Sequence, residues 1–274
     1  MAGVNVENLK SAQFEVAKFW LMLSTICSVG VLVTGIAVLF VDQWSVLLAL
    51  AAGVFGGLNV FFAWQSDNMK EIAESMLRRY EMNNSLGWGI SRREINNMLV
   101  LAPKSVIAAA ESPDEKEYFA STSGIGLERL VDNLEEDAWW SKHLANEMAK
   151  WVGLLSVLVT VLAFVLLIVA FQSSVAQTAA DRIAQVIISI VVFMFSGGYV
   201  RLAFDYRDFA LKSREVEMQA EQLRRSPRMD ETEAIKLQQD YQIARSIAPL
   251  LPTWNYKRMQ GRLNGLWPQR NSTL

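Results

Sequence analysis

One cysteine and one histidine in 274 residues remove several function classes at once. Cys27 has no partner for a disulfide within the chain, and Cys27 with His143 cannot supply a Cys/His metal cluster. No P-loop, G-x-S-x-G or H-E-x-x-H pattern occurs, so the motifs of nucleotide hydrolysis, serine hydrolysis and zinc proteolysis are missing. His143 lies on a helix leading into an apolar run and reads as structural or interfacial. Glu135-Glu136-Asp137 is an acidic run of the kind that is usually solvated, with nothing near it to suggest a metal. An enzyme is not expected, nor a cofactor. Strand-like alternation, internal repeats and low-complexity tracts are lacking too, which leaves an all-α chain.

Charge is scarcest where it would cost most. Four apolar runs, roughly Phe19–Val41, Trp44–Trp64, Trp151–Phe171 and Ile183–Phe204, each approach the ~20 residues a helix needs to cross ~30 Å of hydrocarbon. No charged residue stands at mid-membrane depth, and Arg201 is close enough to the end of the fourth run to snorkel. That argues against a proton-coupled pump, whose embedded carboxylates carry the proton. The hairpin connections, Asp42-Gln43 and Gln172 to Asp181, hold no Lys or Arg. Apart from Arg182 and Arg201 near the two ends of the fourth run, all positive charge lies in the N-terminal arm, the middle segment or the tail. The excess of Lys and Arg on cytoplasmic loops therefore places both termini and the middle segment in the cytoplasm. The polar arm, with Glu7 and Glu15, does not read as a cleaved signal. The expected organisation is an arm and first transmembrane hairpin over 1–64, a cytoplasmic helical segment over 65–150, a second hairpin over 151–204 and a cytoplasmic helical tail over 205–274.

Helical spacing carries the runs beyond the membrane. Asn5 to Lys18 reads as an amphipathic helix entering the first span. Met69, Ile72, Ala73, Met76 and Tyr80 extend the second span to about Asn83, where Asn83-Asn84-Ser85 and Gly87 stop it. Ser91 to Glu94 has capping-box spacing and opens a short helix that stops at Pro103. Ser112-Pro113-Asp114 and Ser121 to Gly126 read as loops. Leu127, Leu130, Val131, Leu134 and Ala138 start a helix with no breaker before the third span. The fourth span runs on through Arg225 to Pro227. A second capping-box spacing, Asp230 to Glu233, opens a helix striped by Ala234, Leu237, Tyr241, Ala244 and Ala248.

Two sets of residues could carry function. Inside the spans, small and polar residues recur at helical spacing: Ser24 and Ser28; Gly56 and Asn59; Ser156 and Thr160; Ser189 and Ser196. They serve either close helix packing or a weakly polar pore lining shared between subunits, with Asn59 the leading pore candidate because an amide in hydrocarbon needs a partner or water. A pore with no acidic residue would not favour cations. Outside the spans, basic residues interleave with aromatics. Arg78, Arg79, Trp88, Arg92 and Arg93 form one tract; Arg224, Arg225, Trp254, Arg258, Arg262 and Trp267 form another. Guanidinium groups pair with phosphates and aromatic faces stack bases, although lipid headgroups suit the same side chains. The middle segment holds 10 Lys/Arg against 15 Asp/Glu, whereas residues 201–274 hold 13 against 9. Tail and middle segment should therefore dock on each other, or the tail should meet an anion, unless the asymmetry reflects only the orientation of cytoplasmic segments by their positive charge.

The layout, with several local patterns in order, resembles the SMODS-associated four-transmembrane effector family of bacterial antiphage operons. The patterns are Gln13 with Ala17-Lys18, Met76-Leu77-Arg78-Arg79-Tyr80, and Tyr118-Phe119-Ala120-Ser121. They continue with Gly126, Arg129-Leu130, Asn133-Leu134 and Trp139-Trp140-Ser141, and close with Tyr241, Ala244-Arg245, Pro252, Trp254 and Tyr256. The resemblance implies a bacterial inner-membrane effector that senses an oligonucleotide made by a partner nucleotidyltransferase and then permeabilises the membrane. The signal would be a cyclic oligonucleotide or, as in Hailong-type operons, a short single-stranded DNA. Four spans enclose little pore alone, so a symmetric homo-oligomer such as a tetramer is expected. The alternative is a non-conducting scaffold that anchors or restrains the nucleotidyltransferase.

The orientation is checked by accessibility. Cysteine placed at Gln43 or Ser174 is expected to react with an impermeant reagent from the periplasm, and cysteine at Ser112 or Ser272 to be protected. Labelling of Ser112→Cys from outside would reverse the topology.

Overall fold

The computed structural model describes residues 5–110, 119–172 and 177–272. Among them there is no strand; the elements are α1 (Val6–Val38), a short 3-10 turn at Asp42–Trp44, α2 (Ser45–Leu86), α3 (Arg92–Leu101), α4 (Lys104–Ala110), α5 (Leu127–Gln172), α6 (Gln177–Ser196), α7 (Tyr199–Arg225), α8 (Glu231–Ile247) and α9 (Thr253–Ser272). The expected all-α class holds. Four helical stretches are long and apolar enough to cross a membrane. The expected loop at Ser112-Pro113-Asp114 and residues 173–176 of the second hairpin connection lie outside the described residues; residues 177–181, expected in that connection, belong to α6.

Local chemistry accounts for the ends of these helices. Asn5 opens α1 by accepting the Glu7 N–H at 2.8 Å, a side-chain cap on donors the helix leaves free. The first hairpin connection is longer than Asp42-Gln43, because α1 stops at Val38 and α2 starts only at Ser45. The helix α2 runs three residues past Asn83 to Leu86 and ends against Gly87, whose φ of 68° is costly for any side chain. A Cβ at Gly87 would also stand 3.0 Å from Ile125. Ser91 and Glu94 form the expected capping box at the start of α3. Pro103 ends α3, but it also begins α4, a helix not expected from the sequence. Proline suits a helix start because its missing N–H would be unpaired there anyway. Asp230 caps α8 by accepting from the Thr232 and Glu233 amides.

The fourth apolar run is not one helix through Phe204, as expected, but two. Gly198 takes φ 74°, and a Cβ at Gly197 would lie 2.5 Å from the Phe193 carbonyl oxygen. The pair stops α6 at Ser196 and lets α7 start at Tyr199. Of the 20 residues of α6, the stretch 177–182 is polar at both ends and carries Asp181 and Arg182. The apolar part of α6, residues 183–196, is therefore only about 21 Å long, and the apolar run continues past the break into α7. Arg201 of α7 pairs with Asp205 at 3.7 Å.

Contacts divide the chain into two units. The apolar unit is Phe19–Ser66 and Ala149–Asp205. The apolar stretches of its spans are only 0 to 12% buried, so their side chains turn outward, a surface suited to lipid and not to water. Trp20 packs on Phe61 and Phe62 within it. The polar unit is Met1–Lys18, Asp67–Met148 and Tyr206–Leu274. One of its cores joins Leu9 and Met76 to Met98, Ala102, Val106 and Ala110, which is how α3 and α4 are held. A second joins Trp139 and Leu144 to Met259, Leu263 and Trp267, which seats α9 on α5. The unit boundaries fall inside α1, α2, α5 and α7, so these helices are each shared by both.

Candidate functional site

Buried charge concentrates at one place in the polar unit. The side chains Gln238, Gln242 and Arg245 follow one another at spacings of four and three along α8, so they share a helix face. All three are buried. Arg245 Nε donates to Glu74 at 3.1 Å, and its Nη1 donates to Glu81 at 2.6 Å and Asp137 at 2.5 Å. Gln238 and Gln242 donate to the second Glu81 oxygen at 3.0 and 3.1 Å. Lys10 of α1 is 2% exposed, with its ammonium 4.6 Å above the Tyr80 ring, a cation–π contact. The Tyr80 hydroxyl donates to Glu7 at 2.9 Å. Thus α1, α2, α5 and α8 each contribute an ionisable group to one cluster.

The electrostatics follow from the count. Two cations, Lys10 and Arg245, face three carboxylates, Glu74, Glu81 and Asp137, so full ionisation leaves one negative charge in excess. Burial pushes Asp137 up to about 6 against the pull of Arg245, with Glu81 and Glu74 adding to the rise. Burial pushes Lys10 down to about 8, opposed by Glu7, Glu81 and Asp137. A cavity of about 10 Å³ adjoins the cluster, lined by Glu81, Ser85, Phe119, Asn133, Leu134, Asp137 and Gln238. That is room for about one water molecule, not for an organic ligand. The cluster is a polar core, and nothing in it presents a nucleophile or a general base to a substrate.

The acidic run expected to be solvated is instead buried at Glu135 and Glu136 and half-buried at Asp137, because each member has its own partner. Glu135 takes Arg224 at 3.2 Å, Glu136 accepts the Ala120 amide at 2.8 Å, and Asp137 takes Arg245. Arg224, Arg245 and, on Glu147, Arg258 thus fit the expectation that the tail docks on the middle segment, and Lys142 on Glu217 at 2.5 Å adds a pair of the opposite sense.

That docking divides the expected phosphate-binding arginines. In the second tract Arg224 and Arg258 are committed to α5 carboxylates, and Arg225 is bound to Glu221 at 2.5 Å. Trp267 is buried with its ring 5.1 Å from Trp139, so it offers no face for base stacking. Arg262 is exposed and Trp254 is 51% exposed, but they are not backed by that arginine group. In the first tract Arg79 bonds Ser75 at 2.6 Å and Glu94 at 3.3 Å, tying α2 to α3. Arg92 and Arg93 are exposed and Arg78 half-buried, and among the described residues none of the three has a carboxylate within ion-pair distance. Trp88 is 55% exposed in the same turn between α2 and α3. His143 packs edge-on against Trp139 at 4.7 Å, as a structural residue would.

The stripes in the spans are largely satisfied within the chain. Ser24 donates to Asn59 at 2.6 Å, joining α1 to α2. Ser156, Thr160 and Ser189 each donate to a carbonyl four residues back, at 2.8 Å. Ser28 and Gly56 are half-buried, and the Ser196 side chain lies outside the described residues. These bonds are the ones expected of the packing alternative.

Two consequences are measurable. Removing one member of a buried ion cluster costs about 3–5 kcal/mol, because it strands the others in low dielectric. Arg245→Met should therefore lower the thermal midpoint of the polar unit well beyond Arg262→Met, followed through the fluorescence of Trp139 and Trp267. The second consequence concerns pH. Burial and the neighbouring Asp137 and Asp132 raise Glu136 to about 7, despite the Ala120 amide. A raised acid favours the folded state fully below its unfolded pKa, near 4.5, and loses that contribution as pH rises through the folded value. The midpoint should fall between about pH 5 and pH 7, and Glu136→Gln, which keeps an acceptor for Ala120, should flatten that fall to the part due to Asp137.

No protein-family model matches the chain, nor does any curated protein or solved structure, so its functional reading rests on its own residues.

Proposed function

We propose that this chain is an oligomeric membrane effector of antiphage defence: an ion channel opened by an oligonucleotide signal from a partner nucleotidyltransferase. Its opening would depolarise the bacterial inner membrane and end the infection by killing the cell. The signal is a short single-stranded DNA or a cyclic oligonucleotide, bound in the cytoplasm at the turn between α2 and α3. One observation carries the reading. Arg92 and Arg93 are exposed with no carboxylate among the described residues to neutralise them, beside an exposed Trp88. Elsewhere in the polar unit the expected arginines are mostly spent on carboxylates. The turn is held firm by the capping box and by Arg79 on Glu94, so free cations and a stacking face are presented on rigid support. Because α2 is one helix from Ser45 to Leu86, a ligand that shifts this turn acts directly on a helix that also supplies a span. The second reading is a non-conducting scaffold that anchors the nucleotidyltransferase. It is favoured by the internal bonds of Ser24, Asn59, Ser156 and Thr160, which leave these groups little need of pore water.

Planar-bilayer recording of the purified protein decides between them, with short oligodeoxynucleotides and cyclic oligonucleotides as the probes. Current that appears on adding one of them supports the channel, whereas binding with a silent bilayer supports the scaffold. The Arg92→Glu, Arg93→Glu double variant should weaken binding. It should also flatten the dependence of log affinity on log salt by roughly 0.7 for each lost phosphate contact on a single strand. Unchanged affinity and slope would place the ligand elsewhere.

A further inference from the structure

On α7 the core-facing residues are Tyr206, Phe209, Ala210, Ser213, Val216, Glu217 and Ala220. At about 100° per residue these share one face, and Leu211 and Met218 lie on the opposite side of the helix. Both are apolar, seven residues apart, and 53% and 52% exposed. Nothing in the core of the unit explains them. Their flanks differ in sign. Arg207 and Arg214 lie about 40–60° to one side of the Leu211–Met218 line, and Asp208 and Glu215 lie as far to the other. All four are exposed. Glu215 takes Lys212 of its own helix at 3.0 Å yet keeps its side chain 49% exposed. Among the described residues no ion pair engages Arg207, Asp208 or Arg214.

We infer that this face of α7 is self-complementary and pairs side by side, in parallel, with α7 of a second copy of the chain. Two apolar residues two turns apart make the seam of such a contact, and the charged flanks set its direction. In a parallel pair the basic flank of one helix meets the acidic flank of the other, so Arg207 faces Asp208 and Arg214 faces Glu215 across the seam. An antiparallel pair would set like charges together. Copies inserted in one membrane share one orientation, and an α7 that runs along the membrane normal is then presented in parallel about that axis. A lipid surface is a poorer occupant, since it would take the arginines on one flank and reject the two acids on the other. The inference rests on the proposed oligomer, but not on the identity of its ligand.

The test uses the full chain in membranes, with Cys27→Ala to remove the native thiol and single cysteines at Leu211, Met218 or, as a control on exposed α8, Gln239. Oxidation should link Leu211→Cys to itself and Met218→Cys to itself, and leave Gln239→Cys unlinked. Adding Arg214→Glu or Glu215→Arg should each cut the Leu211→Cys cross-link several-fold. Both together should restore it, since the exchanged charges still meet opposites, and that recovery separates lost pairing from lost folding. An oligomer by amine cross-linking that shows no link at either position overturns this interface and leaves the oligomer standing. A monomer by both methods overturns the two together. Links only in mixtures of the Leu211→Cys and Met218→Cys chains would mean antiparallel pairing and refute the inference.

Discussion

Arg245 holds three carboxylates from two helices, and the arrangement of the polar unit depends on that one guanidinium. Its planar fork can bond several oxygens at once, as a lysine point charge could not. Glu74 and Glu81 come from α2 and Asp137 from α5, so placing Arg245 between them seats α8 on both. The desolvation cost is shared by Gln238 and Gln242, which supply further donors to Glu81. A hydrophobic core tolerates a helix that slides or rotates slightly. A cluster of this kind does not, because a displaced carboxylate is left buried without a partner.

The same docking explains which basic residues remain to meet an external anion. Carboxylates on α5 outcompete solvent for Arg224 and Arg258, and Lys70 caps the end of α8 by donating to the Ser246 and Ala248 carbonyls. Among the described residues the turn between α2 and α3 escapes this neutralisation: Glu94 is shared between Arg79 and the cap at Ser91, and no carboxylate pairs with Arg92 or Arg93. Free positive charge is thus a remainder, set by where carboxylates run short.

The apolar unit follows a different economy. Lipid offers no hydrogen bonds, so most of the described hydroxyls in the spans turn to a backbone carbonyl or to a neighbouring side chain. Ser24 with Asn59 is the cross-helix case, and Thr160 on Ser156 the local one. Gly197-Gly198 interrupts this regular backbone between α6 and α7, inside the fourth run.

Length, apolar content and the spacing of caps were local properties, and the sequence by itself determined them: four spans, the all-α class, the box at Ser91 and the cap at Asp230. Each depends on residues within a turn or two of one another. The same locality hid α4, since Pro103 reads equally as an end and as a beginning, and the break at Gly197-Gly198, since two glycines in an apolar run suit close packing as well as a turn. Partners of buried charge were out of reach in principle. Asp137 and Arg245 are separated by 108 residues, and a row of three acids looks solvated until the two arginines and the amide that partner it are brought in from α8, α7 and the segment before α5. Only the tertiary structure decided which arginines were spent and which stayed free, because ion pairing depends on distance in space and not on order in the chain.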